Sequence, residues 1–360
     1  YGAELEDELA FVLLAGDQVD SGWQQDQWRD EFLGPGQDLM ARVPFYPVLG
    51  NHEANTPYYF QYHRLPENAP PEVPEQYWYL DRANLRVIGL DSNPPFASEI
   101  QLEWLEQVLD EACADDELDF VLAQLHHPYL SELWPPGELA FTGEVIALLD
   151  AFATGCGKPA VHLFGHTHGY SRGQSRDHVH LWVNVASAGG NLDYWGEYTQ
   201  VDYEQFTISQ DEYGFVLFEV SAGDDPALQM RRYSRGDEKT ALDNQVRDEV
   251  QIRRYNVLPA TPEARAPEAG GTVSPECVML VASPYCDPDG DLHGASQWQL
   301  AADCDGFEAP LEDRWRQHEN WYLDVDTQAG DHLGDELLTI LQPETSYCWR
   351  VRHRDRALVW

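Results

Sequence analysis

Four short clusters hold the residues with chemistry to offer: Gly16-Asp17 followed by Asp20, Gly50-Asn51-His52-Glu53, His126-His127-Pro128 and Gly165-His166-Thr167-His168. Together they present carboxylates, an amide oxygen and several imidazoles, which is a donor set for divalent transition metals. Each cluster alone is weak. A single histidine after a strand is commonly a hydrogen-bonded structural residue. Asp20 could cap a helix, and Gly-His-Thr-His could be an exposed loop. Four such clusters in this order are hard to explain as four separate turns.

A layered α/β domain must position them. Phe11–Ala15 reads as a strand running into Gly16-Asp17, and Phe45–Leu49 as one running into Gly50-Asn51-His52. Leu85–Leu90 ends at Asp91, Phe120–Leu125 runs into the histidine pair, and Ala160–Phe164 runs into Gly165-His166. His180–Val185 and Phe215–Val220 are later strands. Glu99 to Cys113 and Glu144 to Phe152 carry helical spacing, with Leu102, Leu105, Leu109 and Ala112 on one stripe of the first. Loops at the carboxyl ends of strands converge in such sheets, and each glycine lets the backbone turn off its strand.

The order GDxxD, GNHE, HHP, GHTH resembles the calcineurin-like metallophosphoesterase superfamily, which includes purple acid phosphatases, over residues 1 to about 235. The resemblance implies a four-layer α/β/β/α sandwich with two divalent metals (Mn, Zn or Fe) at the sheet edge. Asp17 then looks like the carboxylate bridging both metals. Asn51, His126 and His166 look like ligands of the second metal, and His168 like a ligand of the first. His52 looks like the non-ligand histidine that contacts the phosphate and protonates the leaving group, with Glu53 orienting it or a ligand from behind. The implied reaction is hydrolysis of a phosphomonoester or phosphodiester by a metal-bridging hydroxide.

Two features depart from that pattern. The superfamily opens with a D-x-H motif, and nothing of the kind precedes Asp17; Asp291-Leu292-His293 stands far off in a turn-like context. A chain cut from a longer protein is the expectation, with a broken first metal site as the other reading. Purple members carry tyrosine three residues after the bridging aspartate, and here that place is Asp20, so iron–tyrosinate chemistry is not expected. Among weaker candidates, His127 reads as a substrate contact or a residue behind the ligands. His162 reads as core, and His178 and His180 as solvated strand-edge positions. His63, Tyr170, Arg172, Asn191 and Asp193 stand where pocket walls could form, and Asp287–Asp291 (DPDGD) reads as a tight turn.

Composition bounds the rest. Sixty-three acidic residues against 22 basic give a net charge of −41, which excludes polyanion binding through a general basic surface. No apolar run approaches the ~20 residues of a membrane helix. Six cysteines without a CxxC pair favour disulfides, and with them an extracellular or periplasmic home. Cys113 and Cys156 each follow a helix and could be neighbours. Cys277–Cys286 with Cys304–Cys348 is one of three pairings for the other four. Residues 1–257 form the expected catalytic domain and 258–270 a Pro/Gly-rich linker. Residues 271–360 resemble a fibronectin type III-like β-sandwich, with Trp298, Tyr347 and Trp349 as core aromatics. Its expected role is contact with a cell surface or polymer. The expected partner of the site is a small phosphate ester; the rival expectation is a non-catalytic, secreted binding or adhesion protein.

Overall fold

The computed structural model describes residues 8–199, 201–317, 321–322, 325–326 and 332–360. Strand β1 (Val12–Leu14) pairs in parallel with β2 (Phe45–Pro47). Between them run α1 (Gln25–Gln27), a π-helical turn (Trp28–Leu33) and α2 (Gly34–Met40). Helix α3 (Pro57–Tyr62) starts on Thr56, whose hydroxyl accepts the Tyr58 N–H.

The main sheet contains β3 (Trp78–Arg82), β4 (Leu85–Gly89), β5 (Phe120–Gln124), β6 (Ala160–Phe164), β7 (Tyr170–Gln174), β8 (His180–Asn184) and β9 (Phe206–Gln210). Their order is β9-β7-β8-β6-β5-β4-β3, with β4, β5, β6 and β8 parallel. Helices α4 (Glu99–Ala114) and α5 (Ala140–Cys156) supply crossovers. Strands β10 (Tyr213–Val220), β11 (Ala227–Gly236) and β12 (Ala241–Arg253) make an antiparallel meander.

Strand alternation divides the apolar side chains between two cores. Val87, Leu122, Val161 and Leu163 pack with Val48, Leu228, Met230 and Ile252 of the neighbouring β layer. Ile88, Val121 and Ala123 pack with Leu105, Val108, Val145 and Leu149 of the two helices. Every residue of β4, β5 and β6 is buried, as parallel strands covered on both faces must be. The expected α/β layering is therefore present, and the two predicted helices extend a few residues beyond their sequence limits.

The remaining strands are β13 (Ala264–Ala266), β14 (Val278–Ala282), β15 (His293–Ala301), β16 (Glu312–Gln317), β17 (Trp321–Tyr322), β18 (Val325–Asp326), β19 (Asp335–Leu338) and β20 (Cys348–Asp355), of which β17 and β18 extend the main sheet beyond β9. Sheets β13-β14-β19 and β16-β15-β20 share a core of Val278, Leu280, Trp298, Leu300 and Leu338, flanked by Tyr347 and Trp349. Strand β13 lies inside the stretch expected as linker and pairs with β14, Ala264 opposite Ala282. The β-module docks on the first domain: Arg354 donates to the His178 carbonyl, Gln174 to Gln317, and Trp360 to the Arg176 carbonyl.

Disulfides join Cys113 to Cys156 and Cys304 to Cys348, while Cys277 and Cys286 are free thiols, unlike the pairing offered for them. Lys158, one of two lysines in the chain, stands beside the first bridge. Its ammonium donates to the carbonyls of Ala112, Cys113 and Asp115 at 2.7, 3.2 and 2.6 Å, closing the end of α4. Lys158→Met should destabilise the fold by about 1–3 kcal/mol and lower Tm by several degrees in thermal unfolding. An unchanged Tm would show that water serves those carbonyls equally well.

Candidate metal centre

The site forms where β1, β2, β5 and β6 end. Gly16 takes a left-handed φ of 86°, and a Cβ there would meet the Gly50 nitrogen and His126 Nδ1 at 2.7 Å each. A Cβ on Gly50 would collide with the Asp17 carboxylate and its main-chain nitrogen. The two glycines therefore let two strand ends touch. Asp17 and His166 themselves adopt φ of 53° and 67°, an uncommon geometry for residues with side chains and one that clusters at functional sites.

Glu53 holds this junction together. It is fully buried. Oε2 accepts the N–H groups of Asp17 (2.9 Å) and Gly50 (2.7 Å), and Oε1 accepts that of Gln18 (2.7 Å). Burial and the neighbouring Asp17 carboxylate push the Glu53 carboxyl up, and the donated N–H groups pull against them. Glu53 thus grips the backbone of both loops, where sequence reasoning expected it behind His52 or a ligand.

Around His126 the donors converge. Its Nδ1 donates to the Ala15 carbonyl at 2.7 Å, which turns Nε2 into the site. Three acceptor atoms crowd Nε2: Asn51 Oδ1 at 2.9 Å, Asp17 Oδ2 at 3.0 Å and His166 Nδ1 at 3.1 Å. One nitrogen with at most one proton cannot satisfy three acceptors. A cation among them would, so the donor set fits a divalent metal. The electrostatics agree. Burial would raise the Asp17 carboxyl, but the hydrogen bond and charge of His126, with the His52 N–H, outweigh it and bring it to about 2. Burial alone would lower His126, and Asp17 raises it instead. Burial, then repulsion from His126, lowers His166 to about 4 and His127 to about 3, leaving both as neutral imidazoles.

The other predicted residues fall at different distances from this centre. His52 Nδ1 donates to the Asp20 carbonyl at 2.6 Å, and Nε2 lies 4.0 Å from Asp17 Oδ2. Asp20 thus acts through its main chain, and its side chain is exposed. His126, His127 and His166 bring ring nitrogens within 4.8 Å of one another. His127 Nδ1 also meets the Ser92 hydroxyl at 2.8 Å. His168 is not one of that group: its Nδ1 donates to the Asn191 carbonyl at 2.6 Å, and its N–H to Asp193 at 2.6 Å. Asn191 and Asp193 therefore hold His168. His63 bonds Gln18, and Tyr170 and Arg172 both bond buried Asp248; Arg172 lines a cavity of about 560 Å³ that none of Asp17, Asn51, His126 and His166 lines.

One reading needs correction. His180 is fully buried, not at a solvated edge; its Nδ1 meets Asp150 at 2.7 Å and its Nε2 meets His162 at 3.0 Å. The alternation that exposes one face fails here because α5 covers β8 on that side. Sequence reasoning missed Ser92, Asn184, which donates twice to Thr167 and ties the GHTH loop to β8, and Trp134, whose ring lies 5.0 Å from that of His166. Ser92 had a signal, following a strand-ending aspartate; Trp134 had none. Asp291 and His293 lie in the β-module, where His293 stacks on Tyr285. Asp287 Oδ1 there accepts three successive N–H groups, making the expected turn. Among the described residues no helix is long and apolar enough to cross a membrane.

Comparison with known proteins follows the same lines. Residues 3–170 match the family model for calcineurin-like phosphoesterases. The purple acid phosphatase PPD1 of yellow lupin is similar in structure, with TM-score 0.51 and 16% identity over 70% of this chain and 48% of that one. This chain thus spans about half the length of that enzyme, and the likeness concerns the fold. GAP50, the anchor in the inner membrane complex of Plasmodium, gives TM-score 0.43 and 12% identity over 68% of this chain and 82% of that one. PhoD gives 0.44 and 10% over 66% and 58%. At these scores the last two add nothing to the fold assignment. No curated protein matches the sequence. Residues 3–170 thus carry the calcineurin-like phosphoesterase pattern, within a fold shared with the lupin enzyme.

Proposed function

We propose that the chain hydrolyses a phosphomonoester or phosphodiester at the Asp17–His126 centre with two divalent metal ions. The observation that carries this reading is the crowding of Asp17 Oδ2, Asn51 Oδ1 and His166 Nδ1 around His126 Nε2. Asp17, Asn51, His126 and His166 would hold one ion; Asp17 and His168 would contribute to the other. Bound ions supply Lewis acidity and a water of lowered pKa. Asn51 contributes a neutral donor, which keeps the centre positive enough for an anionic ester. His52 hands a proton from Nε2 to the departing alkoxide, with the Asp20 carbonyl fixing its ring. Glu53 keeps the Asp17 and Gly50 loops in register for both tasks.

The test is hydrolysis of p-nitrophenyl phosphate and bis-p-nitrophenyl phosphate by chelator-treated protein, before and after Mn²⁺ or Zn²⁺ is restored. Metal-dependent turnover is expected; no turnover with metal bound would favour a non-catalytic binding protein. The two disulfides support an extracellular or periplasmic location as part of this proposal. The net charge of −41 repels an anionic ester, and salt screens that repulsion. kcat/KM for an anionic ester is therefore expected to rise with ionic strength, and a flat or falling profile would leave the acidity without a part in substrate capture.

A further inference from the structure

Beside the centre lies a small depression of about 290 Å³. Its walls include Asn51, Asn55, Asn93, Leu49, Pro94 and Phe96. Asn51 belongs to both places, since its Oδ1 also meets His126 Nε2. The volume is near the lower end of the range for ligand sites, enough for one small ring or a short chain.

Its polar atoms have a definite pattern. Asn93 spends Nδ2 on the Leu49 carbonyl and on Asp91 Oδ1, leaving its own Oδ1 to accept. Asn51 spends its oxygen in the centre and keeps Nδ2 to donate. The Asn55 amide makes no hydrogen bond among the described residues, so both its donors and its acceptor are open. Asp91 also lines it; its Oδ1 accepts the Asn93 N–H and side-chain amide, and its Oδ2 accepts the Gln76 amide. No lysine or arginine lines the depression. Apolar surface from Leu49, Pro94 and Phe96 completes it. Donors and acceptors in mixed array, no cation to pair with a second phosphate, and an apolar face suit a neutral group rich in hydroxyls, each of which both donates and accepts.

The placement also fits. The turn that carries Asn51 carries His52 next to it and Asn55 three residues later. Ala54 and Asn55 hold φ of 47° and 53°, so the turn keeps an uncommon backbone shape where it forms the wall. A leaving alcohol must lie within reach of its proton donor, and the wall residue Asn51 immediately precedes His52 in the chain.

We infer that the depression is the leaving-group subsite and that the substrate is a phosphate ester of a neutral polyol or sugar. This rests on the phosphoesterase reading proposed above. The test compares glucose 6-phosphate with n-hexyl phosphate on the metal-loaded full chain: both are primary esters of six-carbon alcohols. The expected kcat/KM ratio favours the sugar ester by roughly tenfold or more, the worth of one or two hydrogen bonds. Asn55→Gly should bring the ratio to within about threefold of unity. Glycine suits the left-handed backbone there, and the ratio is internally controlled, because both esters are read on one preparation. Hydrolysis of both esters without a sugar preference, or a preference that survives Asn55→Gly, would overturn the subsite. Hydrolysis of neither, nor of the nitrophenyl esters, would overturn the phosphoesterase reading itself.

Discussion

His52→Ala is expected to lower kcat on phosphate esters by about 10²–10⁴-fold, the contribution of a positioned general acid, while bound divalent metal stays at the wild-type level. The geometry makes these two readouts separable. Nδ1 of His52 is committed to the Asp20 carbonyl, and Nε2 faces Asp17 from 4.0 Å without joining the contacts around His126. The ring is 42% exposed, so its removal leaves no buried group unpaired and should not disturb folding. The deficit should be largest for alkyl esters, whose alkoxide needs the proton, and smaller for nitrophenyl esters, whose phenolate does not. Loss of metal in step with loss of rate would make His52 a ligand. An equal deficit for both leaving groups would remove it from proton transfer.

Glu53 should have the largest effect on the integrity of the site. Its two fully buried oxygens serve three backbone N–H groups from two loops. Glu53→Ala leaves one buried and two part-buried donors without this partner, at about 1–3 kcal/mol for the buried one and less for the others, so a loss of about 2–4 kcal/mol is expected in urea unfolding. Glu53→Gln keeps the shape but turns an amide N–H₂ toward at least one main-chain N–H. It should cost about 1–3 kcal/mol and loosen Asp17, whose left-handed backbone depends on that grip. Metal affinity and kcat/KM should fall together in the folded Gln variant. A Gln variant with wild-type stability and activity would show that the loops hold without the carboxylate.

Much of this was legible in the sequence because its signals are local. Apolar runs marked β4, β5 and β6, where burial on both faces demands continuous hydrophobicity, and each run ended in a glycine or a polar cluster that the fold brings together. Spacing placed helices over Glu99–Cys113 and Glu144–Phe152, inside the observed Glu99–Ala114 and Ala140–Cys156. Strand β7 (Tyr170–Gln174) was not legible: Ser171, Arg172 and Gln174 are polar yet buried, because distant partners such as Asp248 satisfy them. His180 failed likewise, since its partner Asp150 comes from α5. The grip of Glu53 was hidden because it acts on backbone atoms, which sequence pattern does not register. Strand β13 was masked by the proline- and glycine-rich composition around it, which reads as linker even where Ala264 and Ala266 pair at a sheet edge.

The central claim is that Asp17, Asn51, His126 and His166 close around a catalytic cation. Anomalous diffraction at the manganese edge, from crystals of the full chain soaked in Mn²⁺, tests it most directly. The expected result is an ion within about 2.0–2.4 Å of Asp17 Oδ2, Asn51 Oδ1, His126 Nε2 and His166 Nδ1. Manganese bound elsewhere, with those four atoms still in contact with one another, would contradict the account.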